Sequence, residues 1–574
     1  MCGIWAFINL SKTLPNYNKL YNDFMSIQHR GPDLSSFQTI KNLTVGFHRL
    51  AIMDPNFHAN QPYIIEDKHN SRTIVFVCNG EIYNFKELIE KHHLDIHNNS
   101  DCMTIPKLYI KYSYDKFQQL FNNDIKGEFA FLLFEFDKFQ KLTNVVVGRD
   151  MIGIRPLYYS DISVTKSLNN IKPSYFSNII SGTSQTYYNN NSLAFSSEIK
   201  GLDFYDGNVK EFVPGYLYNI KIDDFSKLTS IDKYCFNKEL YNTTFSYCSE
   251  EGYLNIVKTA VINSVKRRLD ADKPIAFLLS GGVDSSLVAS ISSKLLGTQI
   301  KTYCCGMNEG TDLLYARKVA EHIGSNHTEV FFTPEEGLQA IRDVIRTTET
   351  WDTTTVRASV GQYLVCKHIG TKTDAKVVLV GEGPDEVCSS YLFNYYAPLD
   401  NDCAELHQAS KEYVEKIHMF DGRRADRCIS RWGLEGRVAL LDPEFIEAYW
   451  QIPSQHRHPK YNGVEKWWLR KAFDNTDILP NEVLWRKKEA FSDGVSSKTK
   501  SWFEIIQDHI KTLVTEEEFK ASNEPSIEAY YYKKVFIEFF GEKRVNVLPH
   551  YWQPKWINKD GKYIDPSARV LNVY

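Results

Sequence analysis

The chain has 574 residues, a formal net charge of -4, a pI near 6.5, and 43% hydrophobic and 24% charged residues. This length admits roughly three or four domain-sized units, and the weakly acidic balance gives no reason to expect nucleic acid or an anionic membrane as partner. No run approaches the roughly 18 apolar residues of a membrane span and the first residues lack a basic leader region, while the 11 cysteines form no Cys-x-x-Cys pair, which points to reduced thiols in a cytoplasmic setting.

The chain opens "MCGIWAF". One reading is a buried first strand that happens to contain Cys2. The other is that Met1 is removed, leaving the Cys2 thiol beside a free α-amine of ordinary pKa ~7.7–8.0, a built-in base for a thiolate nucleophile. The first two hundred residues read mostly as strands. "RTIVFVCNGEIYN" is a β-rich run ending in an Asn-Gly turn, with a short helix from Asn84. "EFAFLLFEFD" and "KLTNVVVGRD" form a hairpin. Residues 160–192, polar and without periodicity, read as a surface loop away from any site. "KIDDFSKLTSIDKYCFNKELYNTTFSYCSEE" reads as a linker.

Beyond residue 250 the pattern changes. "KPIAFLL", "IKTYCCGM", "HTEVFFT" and "AKVVLV" are strands alternating with helices, one of them "SLVASISSKLLG" closed by Gly297. That alternation predicts a doubly wound parallel sheet. Everything after about residue 400 reads as helical or irregular. The loop "SGGVDSS" lies between a strand and a helix, where backbone N–H groups favour an anion. Gly281 and Gly282 permit close approach, and Ser280, Ser285 and Ser286 can donate to phosphate oxygens. The Gly-Lys-Ser/Thr ending of a Walker A loop is absent. Asp284 would repel phosphate unless a metal bridges them, which suggests Mg²⁺. "GEGPDE" also follows a strand, so the two loops can share one crevice, with Asp385 beside Asp284 and Glu382 free for proton transfer. Against these readings stand a plain glycine turn before a helix and a solvated acidic turn.

Taken together, "MCGIWAF", "HRGPD", "GFHRLAIMD", "CNGEIYN", "SDCMTIPKLY", "GRDMIGIRPLYY", "LLSGGVDSS", "ETWDTTTVRAS", "GEGPDE", "GLEGRVALLD", "KEAFSDG" and "DPSARVL" resemble the glutamine-hydrolysing asparagine synthetases almost from end to end. "HYWQPKWI" and "DPSARVL" are more similar to the eukaryotic type. The resemblance implies an N-terminal-nucleophile glutaminase domain, an αββα sandwich, over 2–210; a linker over 211–249; an α/β ATP-pyrophosphatase synthetase domain over 250–550; and a tail over 551–574. It implies Cys2 as nucleophile, Asn79 and Gly80 as oxyanion hole, and a glutamine site of Arg49, Leu50, Ala51, Ile52, Met53, Glu81 and Asp101. Arg49 would clamp the glutamine carboxylate. For ATP it implies Leu279, Ser280, Gly281, Gly282, Asp284, Ser285, Ser286, Cys305, Val380 and Gly381. Glu382 would serve β-aspartyl-AMP formation, and Arg357 and Lys488 would face the departing pyrophosphate. Mg²⁺ would sit on Asp284 and Asp385. Aspartate, glutamine and ATP would be the substrates, with no nucleic-acid or membrane partner, and a homodimer is left open.

The chain departs from the family pattern at Val380, Pro384 and Gly436, and in "RVALLD". Two other readings remain: a relative that adenylates a different carboxylate, as β-lactam synthetases do, and a non-catalytic regulatory relative. Retention of Cys2, Asn79, Asp284, Asp385 and Lys488 argues against both. His92, His93, His97, His456 and His458 read as solvated surface histidines. The arginines of "GRRADRCISRWGLEGR" are expected to pair with carboxylates in a buried segment.

Overall fold

The computed structural model describes residues 1–11, 16–96, 98–160, 192–205, 207–223, 227–308, 310–488, 494, 496, 500–547, 552–556 and 565. The interior of the expected loop at 160–192, His97, most of "KEAFSDG" and most of the tail lie outside these residues.

Strands β1 (Gly3–Asn9), β2 (Leu34–Ile40), β3 (Leu43–Arg49), β4 (Tyr63–Asp67), β5 (Arg72–Ile82), β6 (Gly127–Phe136), β7 (Leu142–Arg149), β8 (Tyr158–Ser160), β9 (Ser192–Ser196), β10 (Val209–Glu211), β11 (Tyr216–Ile222) and β12 (Leu228–Cys235) build the first half. They form two antiparallel six-stranded sheets, ordered β10-β8-β9-β1-β3-β2 and β12-β11-β7-β6-β5-β4. Side chains alternate across a strand. Ile4, Ala6 and Ile8 of β1 therefore meet Val75, Val77 and Leu132 between the sheets. Trp5 and Phe7 turn outward onto Leu20 and Phe24 of the helix Tyr17–Ser26. Phe76 and Cys78 turn outward onto Leu108, Phe117 and Phe121 of the helices Thr104–Lys111 and Tyr114–Asn123. The layers are thus αββα, and where both faces are covered, as at β1 and β6, the strands read as nearly unbroken apolar runs, while β2, β4 and β12 at the sheet edges keep exposed residues.

Two expectations are corrected here. Asn79 and Gly80 do not turn the chain: β5 runs through them, opposite Ala130 and Phe129 of β6. Glycine serves close approach at this point, since a Cβ on Gly80 would lie 2.2 Å from the Glu128 carbonyl oxygen. The segment read as linker contains β11 and β12, and β11 pairs with β7. Lysines and aspartates on an outer face hid that pairing.

The second half carries β13 (Ile275–Leu278), β14 (Lys301–Gly306), β15 (Asn326–Phe331), β16 (Val377–Val380) and β17 (Glu435–Val438), all parallel and ordered β15-β14-β13-β16-β17. The chain steps outward from β13 to β15 and returns on the other side of β13. The crevice of such a sheet opens at that switch, beyond the carboxyl ends of β13 and β16. Helices Val283–Leu296 and Thr353–Lys372 flank the sheet, the first ended by Gly297 at φ 62°. The fifth strand, β17, corrects the reading of everything after residue 400 as helical or irregular. Among the described residues no helix is long and apolar enough to cross a membrane.

The halves meet through one apolar cluster that runs through both and through buried charge. Arg30 forms paired bonds of 2.8 and 2.9 Å to Asp426 and a 2.6 Å bond to Glu198. Arg268 donates to Glu128 at 2.8 Å, Arg155 to the Gly436 carbonyl at 2.8 Å, and the Met1 α-amine to the Leu434 carbonyl at 2.9 Å. Glu349 accepts from the backbone N–H groups of Ile199 and Lys200 at 3.0 and 2.9 Å. Most of the arginine-rich run behaves as expected: Arg423 pairs with Glu211 at 3.0 Å, Arg427 with Asp426 at 2.6 Å and Arg437 with Glu435 at 2.9 Å, whereas half-buried Arg431 lies over the Trp432 ring at 5.0 Å. His92 and His458 correct another expectation, being buried and bonded to the Tyr112 hydroxyl and the Ala397 carbonyl.

Candidate active sites

Cys2 precedes β1, and its sulfur lies 3.5 Å from the backbone nitrogen of Leu50, just past the end of β3. Burial pushes the thiol up to about 11 and draws the Met1 α-amine down to about 5. With Met1 in place the free amine is held on the Leu434 carbonyl. Asn79, in the middle of β5, is fully buried, and neither Nδ2 nor Oδ1 has a partner. A buried amide in that state is costly. Arg49 is buried and donates only to neutral acceptors, namely the carbonyls of Asp54 and Asn56 and the side-chain oxygen of Asn60. Among the described residues no carboxylate bonds it directly, and its charge is felt by the Asp54 carboxylate. Burial, helped by Glu435, pushes Glu81 well above the usual carboxylate range against the opposing Arg437. Burial raises Asp101 to about 6, against its 2.7 Å bond from the Ile82 N–H. Leu50 and Ile52 are buried, while Ala51 and Met53 are partly exposed. The Ala51 N–H donates to Asp33 at 2.9 Å.

The second site lies at the switch of the parallel sheet. Ser280, Gly282, Asp284 and Ser285 from one loop and Gly381, Glu382, Gly383 and Asp385 from the other line a single cavity, closed by Gln362, Arg424, Lys466 and Lys488. The loops touch: a Cβ on Gly381 would lie 2.5 Å from the Ser285 nitrogen. Ser285 Oγ accepts from the Ser280 N–H at 3.1 Å, which draws the loop tightly around the helix start. Glu382 accepts from Gln362 at 2.9 Å and lies 3.6 Å from Arg424. Burial raises its carboxyl, opposed by Arg424. Asp284 and Asp385 converge on Lys466, at 2.6 Å in the case of Asp385. Lys488 also binds Asp385, and Ser390 donates to it at 2.6 Å. Burial favours neutral Asp385, but Lys466 and Lys488 outweigh burial and hold it below the usual range. Asp284 is raised by burial, against Lys466. Its Oδ1 is buried without a partner, and an unpaired carboxylate oxygen beside a second carboxylate suits a hard divalent cation.

Several expected residues lie elsewhere. Arg357 is absent from the cavity wall; both edges of its guanidinium are taken by carboxylates, Glu528 at 2.8 and 2.5 Å and Asp565 at 2.9 and 2.8 Å. Two full charges so close leave it no capacity to face pyrophosphate in this conformation. Leu279, Ser286, Cys305 and Val380 are buried behind the wall, Cys305 with its thiol on the Gly361 carbonyl at 3.1 Å. Gly281 supplies a left-handed φ of 74° that lets the loop turn. Lys466, Gln362 and Arg424 were not anticipated. The one available signal was a lysine set among the aromatic residues of "VEKWWLRKAF".

The chain matches two family models, the glutamine amidotransferase domain over residues 1–212 and asparagine synthase over 257–405 and 399–557. Curated relatives named asparagine synthetase [glutamine-hydrolyzing] include those of Gallus gallus at 35% identity, Mus musculus at 37% and Homo sapiens at 36%. Each alignment covers 100% of this chain and 99% of the relative.

Proposed function

This chain belongs to the glutamine-hydrolysing asparagine synthetases, and from that premise we propose how its residues make asparagine from aspartate, ATP and the amide nitrogen of glutamine. Removal of Met1 frees the amine of Cys2, which takes the thiol proton, and the thiolate attacks the glutamine amide carbon. The side chain of Asn79 and the N–H of Gly80 receive the charge that develops on the amide oxygen. Arg49 clamps the substrate carboxylate, and Glu81 and Asp101 receive its amino end. Collapse of the tetrahedral intermediate breaks the C–N bond and expels ammonia, the leaving nitrogen taking its proton from the Cys2 amine, and water then hydrolyses the thioester to release glutamate.

In the second half, Ser280, Ser285 and the loop amides around Gly281 and Gly282 take the ATP phosphates. Asp284 and Asp385 would hold Mg²⁺, which when bound screens the triphosphate charge. The aspartate β-carboxylate attacks the α-phosphorus, forming β-aspartyl-AMP and releasing pyrophosphate. Glu382, held by Gln362, serves β-aspartyl-AMP formation, after which ammonia displaces AMP. Lys488 faces the charge on the leaving pyrophosphate. Arg357 has less support for that role than Arg424 and Lys466, which line the cavity.

The observation that carries the reading is a family match across the whole chain together with a buried, unpartnered amide at Asn79. Mixing the protein with aspartate, glutamine and MgATP tests it. Asparagine, AMP, pyrophosphate and glutamate should appear in equal amounts, and AMP formed without asparagine would point to another acceptor. Intact mass should lack Met1. Cys2→Ala should lose glutamine-dependent synthesis and keep synthesis from added ammonia.

A further inference from the structure

We propose that Lys466 is a resident competitor of the divalent cation: its ammonium occupies the space between Asp284 and Asp385, so that metal is accepted only together with the phosphates of the nucleotide. The proposal rests on the reading of these two aspartates as the metal carboxylates.

Three observations support it. First, Lys466 is in contact with both carboxylates at once, and its side chain is 3% exposed. A buried lysine reaching two acids on different loops stands where a bridging cation would stand. Second, the backbone fixes it there. Lys466 has φ 57° and ψ 28°, a left-handed conformation that a long side chain rarely adopts and that the surrounding structure must enforce. The enforcement is visible. The Lys466 carbonyl accepts from the Arg470 N–H at 2.9 Å, while Arg470 donates to the neighbouring Glu465 carbonyl at 2.9 Å and carboxylate at 2.5 Å. Third, the charges in direct contact with the two aspartates are already matched. Lys466 and Lys488 face Asp284 and Asp385, while Arg424 is paired with Asp421 at 2.9 Å and Arg470 with Glu465 at 2.5 Å.

A bare divalent cation entering this cluster would meet two ammonium groups at short range, where like charges repel strongly in a buried site. A nucleotide changes the balance, because its phosphates supply the negative charge to which the lysines can turn. The unpartnered Oδ1 of Asp284 is then the point at which the metal first engages. Metal and nucleotide should consequently bind cooperatively, and the source of that cooperativity is one side chain.

The test measures Mn²⁺ binding by electron paramagnetic resonance, with and without a non-hydrolysable ATP analogue. The proteins are wild type, Lys466→Met, Lys466→Arg, Asp385→Asn and the Lys466→Met/Asp385→Asn double variant, each checked for folding by its circular dichroism and its unfolding midpoint. Wild type should bind Mn²⁺ weakly alone and tightly with the analogue. Lys466→Met should bind Mn²⁺ alone roughly tenfold or more tightly than wild type, the scale expected for removing a contacting like charge. That gain should vanish in the double variant, and Lys466→Arg should follow wild type. A lysine that only supported the fold would give no gain of binding. Unchanged or weaker Mn²⁺ binding by Lys466→Met, with analogue-dependent binding intact in wild type and lost in Asp385→Asn, overturns the proposal and leaves the metal reading standing. Absence of any Asp385-dependent Mn²⁺ binding overturns both. If Lys466→Met fails to fold, Lys466→Gln is read by the same criteria.

Discussion

Replacing Asn79 by alanine should separate stability from catalysis. The side chain is 0% exposed and leaves both polar atoms unpartnered. Each such group costs about 1–3 kcal/mol, so the resting fold carries two penalties that truncation removes. Working against this gain is the void left by three side-chain atoms, which should cost less than the ~2–5 kcal/mol of a buried Leu→Ala change. The two contributions nearly cancel, and the thermal midpoint should move by less than about 3 °C. Catalysis has no such compensation: losing one oxyanion donor costs ~10²–10³ in kcat. The assay is glutamate release from glutamine, with ammonia-dependent asparagine formation as the internal control, expected near wild type. A variant destabilised by more than about 3 kcal/mol would show that the amide supports the fold. Glutaminase kcat within about threefold of wild type would show that it does not touch the reacting oxygen. Either result refutes the reasoning.

Glu528→Gln should lower the thermal midpoint, because it breaks a fully buried ion pair with Arg357, a loss near the lower end of ~3–5 kcal/mol since Asp565 remains. Burial raises Asp23 from 3.8 to about 6, so its contribution to stability is complete below the unfolded value and is lost as pH rises through the folded one. Asp23→Asn, whose oxygen can still accept from the Phe204 N–H, should therefore stabilise the protein at about pH 8, by at most ~3 kcal/mol, and not at about pH 4. Unfolding midpoints at the two pH values check this. Pro384 opens the short helix Pro384–Val387, a first-turn position where the missing N–H has no partner to lose. Pro384→Ser should thus preserve or raise ATP-to-pyrophosphate turnover, whereas Asp385→Asn should nearly abolish it and leave glutamine hydrolysis intact.

Legibility followed the range of the interactions. The "SGGVDSS" and "GEGPDE" loops were readable because glycines, serines and aspartates within seven residues carry their chemistry, and a strand-loop-helix pattern locates them. β17 was not, because "EGRV" is four residues with two charges; its Glu435 and Arg437 pair with one another and Arg437 faces Glu81 of the first half at 3.5 Å. The same holds for Arg357: its type and motif suggested a free cation, yet its partners stand 171 and 208 residues away. Asn-Gly at 79–80 is an ordinary hairpin signal, overridden here by ten consecutive pairings between β5 and β6. Lys466 depends on a left-handed backbone that no apolar period records.

The charged seam between the halves also bears on how the protein is made. Arg30 waits for Asp426, 396 residues further along, and Glu128 for Arg268, 140 residues on. At ~5–20 residues per second a ribosome needs roughly 20–80 s to supply the more distant partner. Throughout that interval the future seam presents arginines and glutamates that water solvates well. The seam is not charged throughout: Met1, Ile152, Ile154 and Ile199 belong to an apolar cluster that continues into the second half, so the charged groups limit the adhesive surface that the half-made chain exposes while its complement is still being synthesised.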